Sequence, residues 1–362
     1  MSEIKKASPI QIIVMTVGLV LLILLPQLAK NNYLISVGVT FCTYAALGTV
    51  WNIIGGYAGQ ISWCHASFLT IGAYSSYLLK IYFGISPWIG LLFGVAISLL
   101  AAFVIGSISF RLSGTFFSLV TISFSEIVRV LLLWKKDITK GANGLFITYH
   151  HDSWLELTFR SDKVFYYLML GILIGCIVTV WKLEHSKIGY YLRVIKADQH
   201  AAETLGIETH KIKLKAFLIS AAMSSAIGTI YAFFLTYIDP ATVGAIDVST
   251  KIGSMAIVGG LGTLFGPLIG AAVLIPITEL ANALLGSLGS GMLIYGLILI
   301  IIVAFRPAGL ISFFSKSKDN PILSTDISET SGKALAGEKA EANELLSVNH
   351  TVKSKEEAND GG

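Results

Sequence analysis

Apolar runs about one bilayer long, separated by short polar breaks, repeat along most of this chain. A hydrocarbon core takes roughly 20 residues of helix. On that measure the runs predict membrane segments at 10–28, 33–54, 60–81, 87–110, 114–134, 164–182, 214–237, 267–285 and 291–306. A tenth candidate, 251–263, reads KIGSMAIVGGLGT and is too short and glycine-rich for a regular span, so a short or re-entrant helix is expected there. The fold class is therefore all-α, a polytopic transmembrane helical bundle of about ten segments. An even number of crossings puts both termini on the same side.

The break from Lys182 to Lys215 is the longest polar interruption within the apolar part of the chain. Seven Lys/Arg face four acids in it, which places it in the cytoplasm by the positive-inside rule. Both termini then lie in the cytoplasm too, and 137–160 and 238–249 face outward. The outer loop 135–163, with five Lys/Arg against four acids, is nearly balanced. Inside the polar break, KADQHAAETLGIE predicts a short amphipathic helix ended by Gly206. Val194, Ala197, Ala201 and Leu205 follow helical spacing with Ala202 beside them, and Asp198 falls in the first turn, where its charge suits the helix dipole. A stripe so small and flat fits two readings, a helix docked in a partner's cleft and a surface helix packed on its own protein.

Composition narrows the class. The chain of 362 residues is 54% hydrophobic and 13% charged, more apolar surface than a soluble domain of this size can hide. The net charge of +4 divides unevenly: residues 315–362 hold six Lys and nine Asp or Glu, without aromatics, and predict a disordered cytoplasmic tail. A membrane domain, 1–314, with its cytoplasmic segment at 183–213, precedes that tail. The basic excess sits at membrane borders, so no nucleic-acid partner is implied. Cys42, Cys64 and Cys176 all lie in apolar runs and suggest neither a disulfide framework nor a zinc site. With no phosphate-binding loop, no nucleophile elbow and no metal-ligand spacing, the sequence predicts a non-catalytic chain without cofactor or metal.

Ionisable groups inside membrane runs mark the remaining candidates. Glu126 and Arg129 stand three apart on one helical face, and a structural pairing is favoured over ligand contact. Glu279 is an acid without an evident partner, and His65 reads as a packing residue. Gly262, Gly266 and Gly270 repeat a GxxxG spacing that lets another backbone approach, which favours helix packing over a hinge.

Three stretches carry a family resemblance. GGYAGQISWCHASFLTIGAY at 55–74, FRLSGTFFSLVTISFSEIVR at 110–129 and KGANGL at 140–145 resemble segments of branched-chain amino acid permeases of the LivM type. The second half matches best, through IGYYLRVIKADQHAAETLGIETHKIKLKAFLISAAMSSAIGTIYA, VGGLGTLFGPLIGAA and FRPAGL. The resemblance implies a permease subunit of an ABC importer for leucine, isoleucine and valine in a bacterial-type cytoplasmic membrane. It also implies a second, LivH-like permease subunit, two cytoplasmic ATPase subunits and an extracytoplasmic binding protein, all working in membrane lipid. On this resemblance the ATPase-coupling helix covers Ala197, Ala201, Ala202, Glu203, Leu205 and Gly206. Gly56, Tyr57, Gly59, Gln60, Ser62 and His65 fall near the pathway or in helix packing, as do Glu126, Arg129 and the three spaced glycines. Trp63-Cys64 and Ser67 depart from the usual pattern, which leaves permeases for urea, amides or another amino acid as the alternative. An ion-coupled secondary transporter relaying through Glu126, Arg129 and Glu279 is a further alternative, from a different class.

Overall fold

The structure, a computed structural model, describes residues 18, 21–28, 31–110, 115–149, 151–285, 288–306 and 309–313. Seven helical stretches among these residues are long and apolar enough to cross a membrane. In chain order the main helices are α1 (Asn32–Asn52), α2 (His65–Phe83), α3 (Pro87–Ser109), α4 (Thr115–Trp134) and α5 (Asp162–Glu184). Two short helices, α6 (Lys187–Ala197) and α7 (Gln199–Thr204), fill the polar break. They are followed by α8 (Thr209–Leu235), α9 (Pro240–Gly244), α10 (Ile246–Gly259), α11 (Gly266–Leu285) and α12 (Leu288–Phe305). The helical, multi-pass class is thus as the apolar pattern predicts. The helix α2, rich in Ser and Thr, and the apolar stretch Leu293–Ile302 of α12 fall short of the span criterion but occupy predicted segments. Of the first predicted span only residues 18 and 21–28 are described; both termini and the tail 315–362 lie outside the described residues.

The breaks between helices follow local chemistry. Gly84 takes a left-handed φ of 64° and ends α2, after which Ser86 and Pro87 start α3. The doubtful segment 251–263 is the end of α10 and the start of a loop at 260–265; α9 and α10, separated at the extended Ala245, together make the apolar stretch Pro240–Gly259 counted among the seven. At 14 residues, α10 is about 21 Å long and shorter than the hydrocarbon core.

Close backbone approach holds the bundle together. A Cβ on Gly72 would stand 2.0 Å from the Ser225 carbonyl oxygen, and one on Gly228 would stand 2.1 Å from that of Leu69, so α2 and α8 cross with no room for side chains. Across the same contact the Thr229 hydroxyl donates to the Gly72 carbonyl (3.0 Å) and that of Tyr77 to the Ala232 carbonyl (2.8 Å). Helix α3 lies over this pair through Gly90, Gly94, Ser98, Ala102 and Gly106, all buried, while Leu92, Leu100 and Ile108 on its far face are exposed. That four-residue period of small residues is written in the sequence of α3. Gly266 and Gly270 also pack, since a Cβ on Gly270 would meet the Met255 carbonyl oxygen at 2.0 Å. Gly262 does not join them. It sits in the loop before α11 with a φ of 74°, so the expected run of three helix-packing glycines is a run of two.

The loops sort to two ends. At one end the two-residue strands β1 (Leu145–Phe146) and β2 (Tyr237–Ile238) pair antiparallel, Lys80 bridges Glu156 at 2.7 Å, and the Trp88 indole donates to the Trp154 carbonyl. At the other end lie α6, α7 and the segments around Tyr57 and Gly262.

Candidate functional site

The polar break folds as two helices rather than one. Ser186 caps α6, its hydroxyl accepting from the Gly189 N–H. At Asp198 the backbone turns extended (φ −157°, ψ 114°), and the carboxylate accepts from the Ala201 N–H at 3.0 Å as the cap of α7. The single helix expected across 196–205 is therefore broken. An Asp placed to cap a helix takes its own residue out of one, and Ala197 closes α6 instead of opening α7. Gly206 then ends α7 with a φ of 80° in open space, so only its backbone conformation resists a side chain.

Polar side chains fix α7 to the start of α8. Lys213, almost wholly buried, donates to Gln199 Oε1 at 2.6 Å. Glu203 Oε1 accepts from Gln199 Nε2 at 2.9 Å and from the Thr209 hydroxyl at 2.7 Å. These donors hold the Glu203 carboxyl below the ordinary glutamate range. The stripe predicted to face a partner divides: Ala202 is fully buried against the chain itself, whereas Ala197, Ala201 and Leu205 are exposed, Leu205 to 76%. Leu205 is thus an exposed aliphatic knob at the end of the capped helix.

A knot of backbone joins the first motif to the glycine-rich loop. The last turn of α1 widens into a π turn over Ile53–Tyr57, and Asn52, buried just before it, donates to the Thr263 carbonyl (2.8 Å) and accepts from the Gly262 N–H (2.9 Å). A Cβ on Gly56 would meet the Gly262 nitrogen at 2.5 Å, and the Lys196 stem crosses Gly59. The Tyr57 hydroxyl reaches Glu184 at 3.2 Å, and the Gln60 N–H donates to the Ile54 carbonyl at 3.0 Å. Gly56, Tyr57, Gly59 and Gly262 thus sit together beside α6. Sequence reading missed Asn52, since a buried amide that satisfies two loop groups leaves no periodic signal.

The rest of the first motif enters the core. The Trp51 indole donates to the Ser62 carbonyl at 2.6 Å, and the Ser62 hydroxyl lies 3.2 Å from Cys64 Sγ. His65 Nε2 meets the Ser220 hydroxyl at 2.6 Å, which donates on to the Val50 carbonyl, and Phe68 and Phe217 pack edge-on around the imidazole. The imidazole is thus packed in the core, while its buried Nδ1 has no hydrogen-bond partner among the described residues. A separate cavity of about 340 Å³ is lined by Tyr44, Leu69, Tyr231, Val243 and Val248, among others.

Glu126 and Arg129 do pair: Arg129 Nε lies 3.0 Å from Glu126 Oε2, and Nη2 also contacts the carboxylate. The pair is not enclosed, however. It lies on the chain's own surface, with the Glu126 side chain 51% exposed, because α4 buries only Phe117, Thr121 and Ser125. The two sequence groups, α7 and the α4 pair, stay apart, at the loop end and at mid-helix respectively.

Residues 13–303 match the family described as branched-chain amino acid transport system, permease component. The chain is 27% identical over 290 residues to the high-affinity branched-chain amino acid transport system permease protein LivM of Escherichia coli (strain K12), covering 74% of this chain and 67% of that protein. It is 23% identical over 293 residues to LivH of the same organism, with 76% and 93% covered. A more distant similarity, 22% over 233 residues, links it to the autoinducer 2 import system permease protein LsrC of Yersinia pseudotuberculosis, with 59% and 62% covered. No solved structure matches.

Proposed function

The chain belongs to the family of branched-chain amino acid transport system permease components, and on that premise we propose that it is the LivM-like half of an ABC importer for leucine, isoleucine and valine. The protein is a multi-pass membrane subunit and a transport permease. In the proposed assembly a LivH-like second permease completes the membrane part, two cytoplasmic ATPases supply the energy, and an extracytoplasmic binding protein delivers the amino acid. Similarity to both LivM and LivH relatives supports the permease pairing. The proposal includes a bacterial-type inner membrane, cytoplasmic termini, a permease domain at 1–314 and a tail at 315–362 that is dispensable beyond Lys318.

The observation that carries the coupling role is α7. It exposes Ala201 and Leu205 while Lys213, Gln199, Glu203 and Thr209 lock it to α8, so a push on the knob moves a membrane helix. In this reading Ala197, Ala201, Leu205 and Gly206 meet the ATPase, and Ala202 and Glu203 hold the helix in place. The test is uptake of labelled leucine into proteoliposomes containing all subunits, with ATP inside and binding protein outside. Uptake that requires ATP and survives an uncoupler is expected. Uptake that survives ATP depletion and collapses with the uncoupler would mean secondary transport instead.

A further inference from the structure

Helix α4 carries two unlike unburied faces. One presents Phe116, Ile127, Val130, Leu131 and Trp134, with Ser123 among them, its hydroxyl donating back to the Leu119 carbonyl, and suits lipid. The other is a stripe at Thr115, Ser118, Ile122, Glu126, Arg129 and Leu133, spaced three and four apart along the whole helix, and none of these residues is buried. Glu126 stands eleven residues beyond Thr115, about 17 Å along a helix that rises 1.5 Å per residue, which is close to mid-bilayer. A polar stripe with an ion pair at that depth is unstable against hydrocarbon and must face protein or water. The polar stripe adjoins the buried side of the helix, where the Ser118 hydroxyl donates to the Ile61 carbonyl at 2.8 Å and Arg129 packs near Gly244.

From this arrangement we infer that Glu126 and Arg129 form a substrate-contacting station in the transport path, Arg129 receiving the α-carboxylate and Glu126 the α-ammonium of the amino acid. The inference rests on the proposed permease function, with the second permease subunit closing the far side of the stripe. A zwitterion carries the same two charges as the pair, so it exchanges one ion pair for two and leaves no net charge in the membrane. Ile122 and Leu133, on the same stripe, offer apolar surface to a branched side chain. Because Glu126 and Arg129 already neutralise each other, the empty station needs no counter-ion, and substrate leaves as the internal pair re-forms. The arrangement favours a weak, transient contact over tight binding, as passage requires.

The test uses the complete importer in proteoliposomes with Glu126→Gln, Arg129→Gln and the double variant, reading subunit co-purification, binding-protein-stimulated ATP hydrolysis and leucine uptake. Loss of one charge-assisted hydrogen bond pair predicts at least about a tenfold drop in uptake per assembled complex for each single variant, and each single variant, leaving one charge unpaired, also assembles in lower yield than the double. The double variant should stay equally slow, because restoring neutrality does not restore the station. Wild-type uptake in the double variant overturns the inference, whether or not the single variants assemble, since the pair would then be structural only. If the unmodified importer moves no leucine at all, the proposed function fails instead of the station.

Discussion

Helices α3 and α4 are neighbours in the chain, both apolar enough to span a bilayer, yet they bury themselves in opposite ways. The first sinks a continuous stripe of small residues into α2 and α8 and shows bulky aliphatics outward, so its packing is complete within one chain. The second buries three residues and leaves an ion pair and three hydroxyl-bearing residues unburied. In a membrane, where lipid already satisfies apolar surface, helix association comes from close packing and polar contacts. An apolar exposed face therefore needs no partner, whereas an exposed polar stripe does. The difference separates a helix whose polar and small residues are packed within the chain from one whose polar residues are not.

The largest effect is expected where backbones touch. Gly228→Val forces a branched side chain against the Leu69 carbonyl and should cost about 3 kcal/mol or more, abolishing folded yield. Leu100→Ala on the exposed face of α3 should leave the melting temperature of the detergent-solubilised subunit close to wild type. Equal losses in the two variants would remove the distinction between packed and lipid-facing sides.

The same contrast divides two adjacent alanines of α7. Ala202→Glu places an unpaired carboxylate in the subunit's own interior, at a cost on the order of several kcal/mol, and should destabilise the isolated chain. Ala201→Glu should leave the subunit folded but weaken ATPase co-purification. The reverse outcome would turn α7 over.

Smaller effects come from the loops. Asn52→Ala deprives the Gly262 N–H and the Thr263 carbonyl of their partner, about 1–3 kcal/mol for a buried group left unsatisfied, and thermal unfolding should register it. Gly206→Val meets no steric obstacle but must hold a left-handed backbone, about 1–2 kcal/mol, and should reduce coupled hydrolysis more than stability.

Much of this was legible beforehand, and the reason is physical. Apolar runs as long as a bilayer announce helices because the backbone has no other way to satisfy itself in hydrocarbon. Likewise, the family motifs brought Gly56 and Gly262 forward, and their backbones lie side by side. What periodicity could not convey was the direction of each face. Val194, Ala197, Ala201 and Leu205 read as one stripe until Asp198 interrupted the helix, because a capping residue and a helical residue differ only in backbone conformation. Glu126 and Arg129 were readable as a pair three apart, but their exposure depends on which neighbours α4 lacks. The small-residue period of α3, by contrast, was available at four-residue spacing and could have been found.

What the polar stripe of α4 faces decides its role most directly. Single cysteines at Ile122 and Leu100, with the three buried native cysteines replaced, can be compared for reaction with a membrane-impermeant thiol reagent in the assembled importer. If the stripe lines the path, position 122 reacts and is protected by excess leucine during turnover, while position 100 stays inert. Two inert positions, or equal reaction at both, would contradict it.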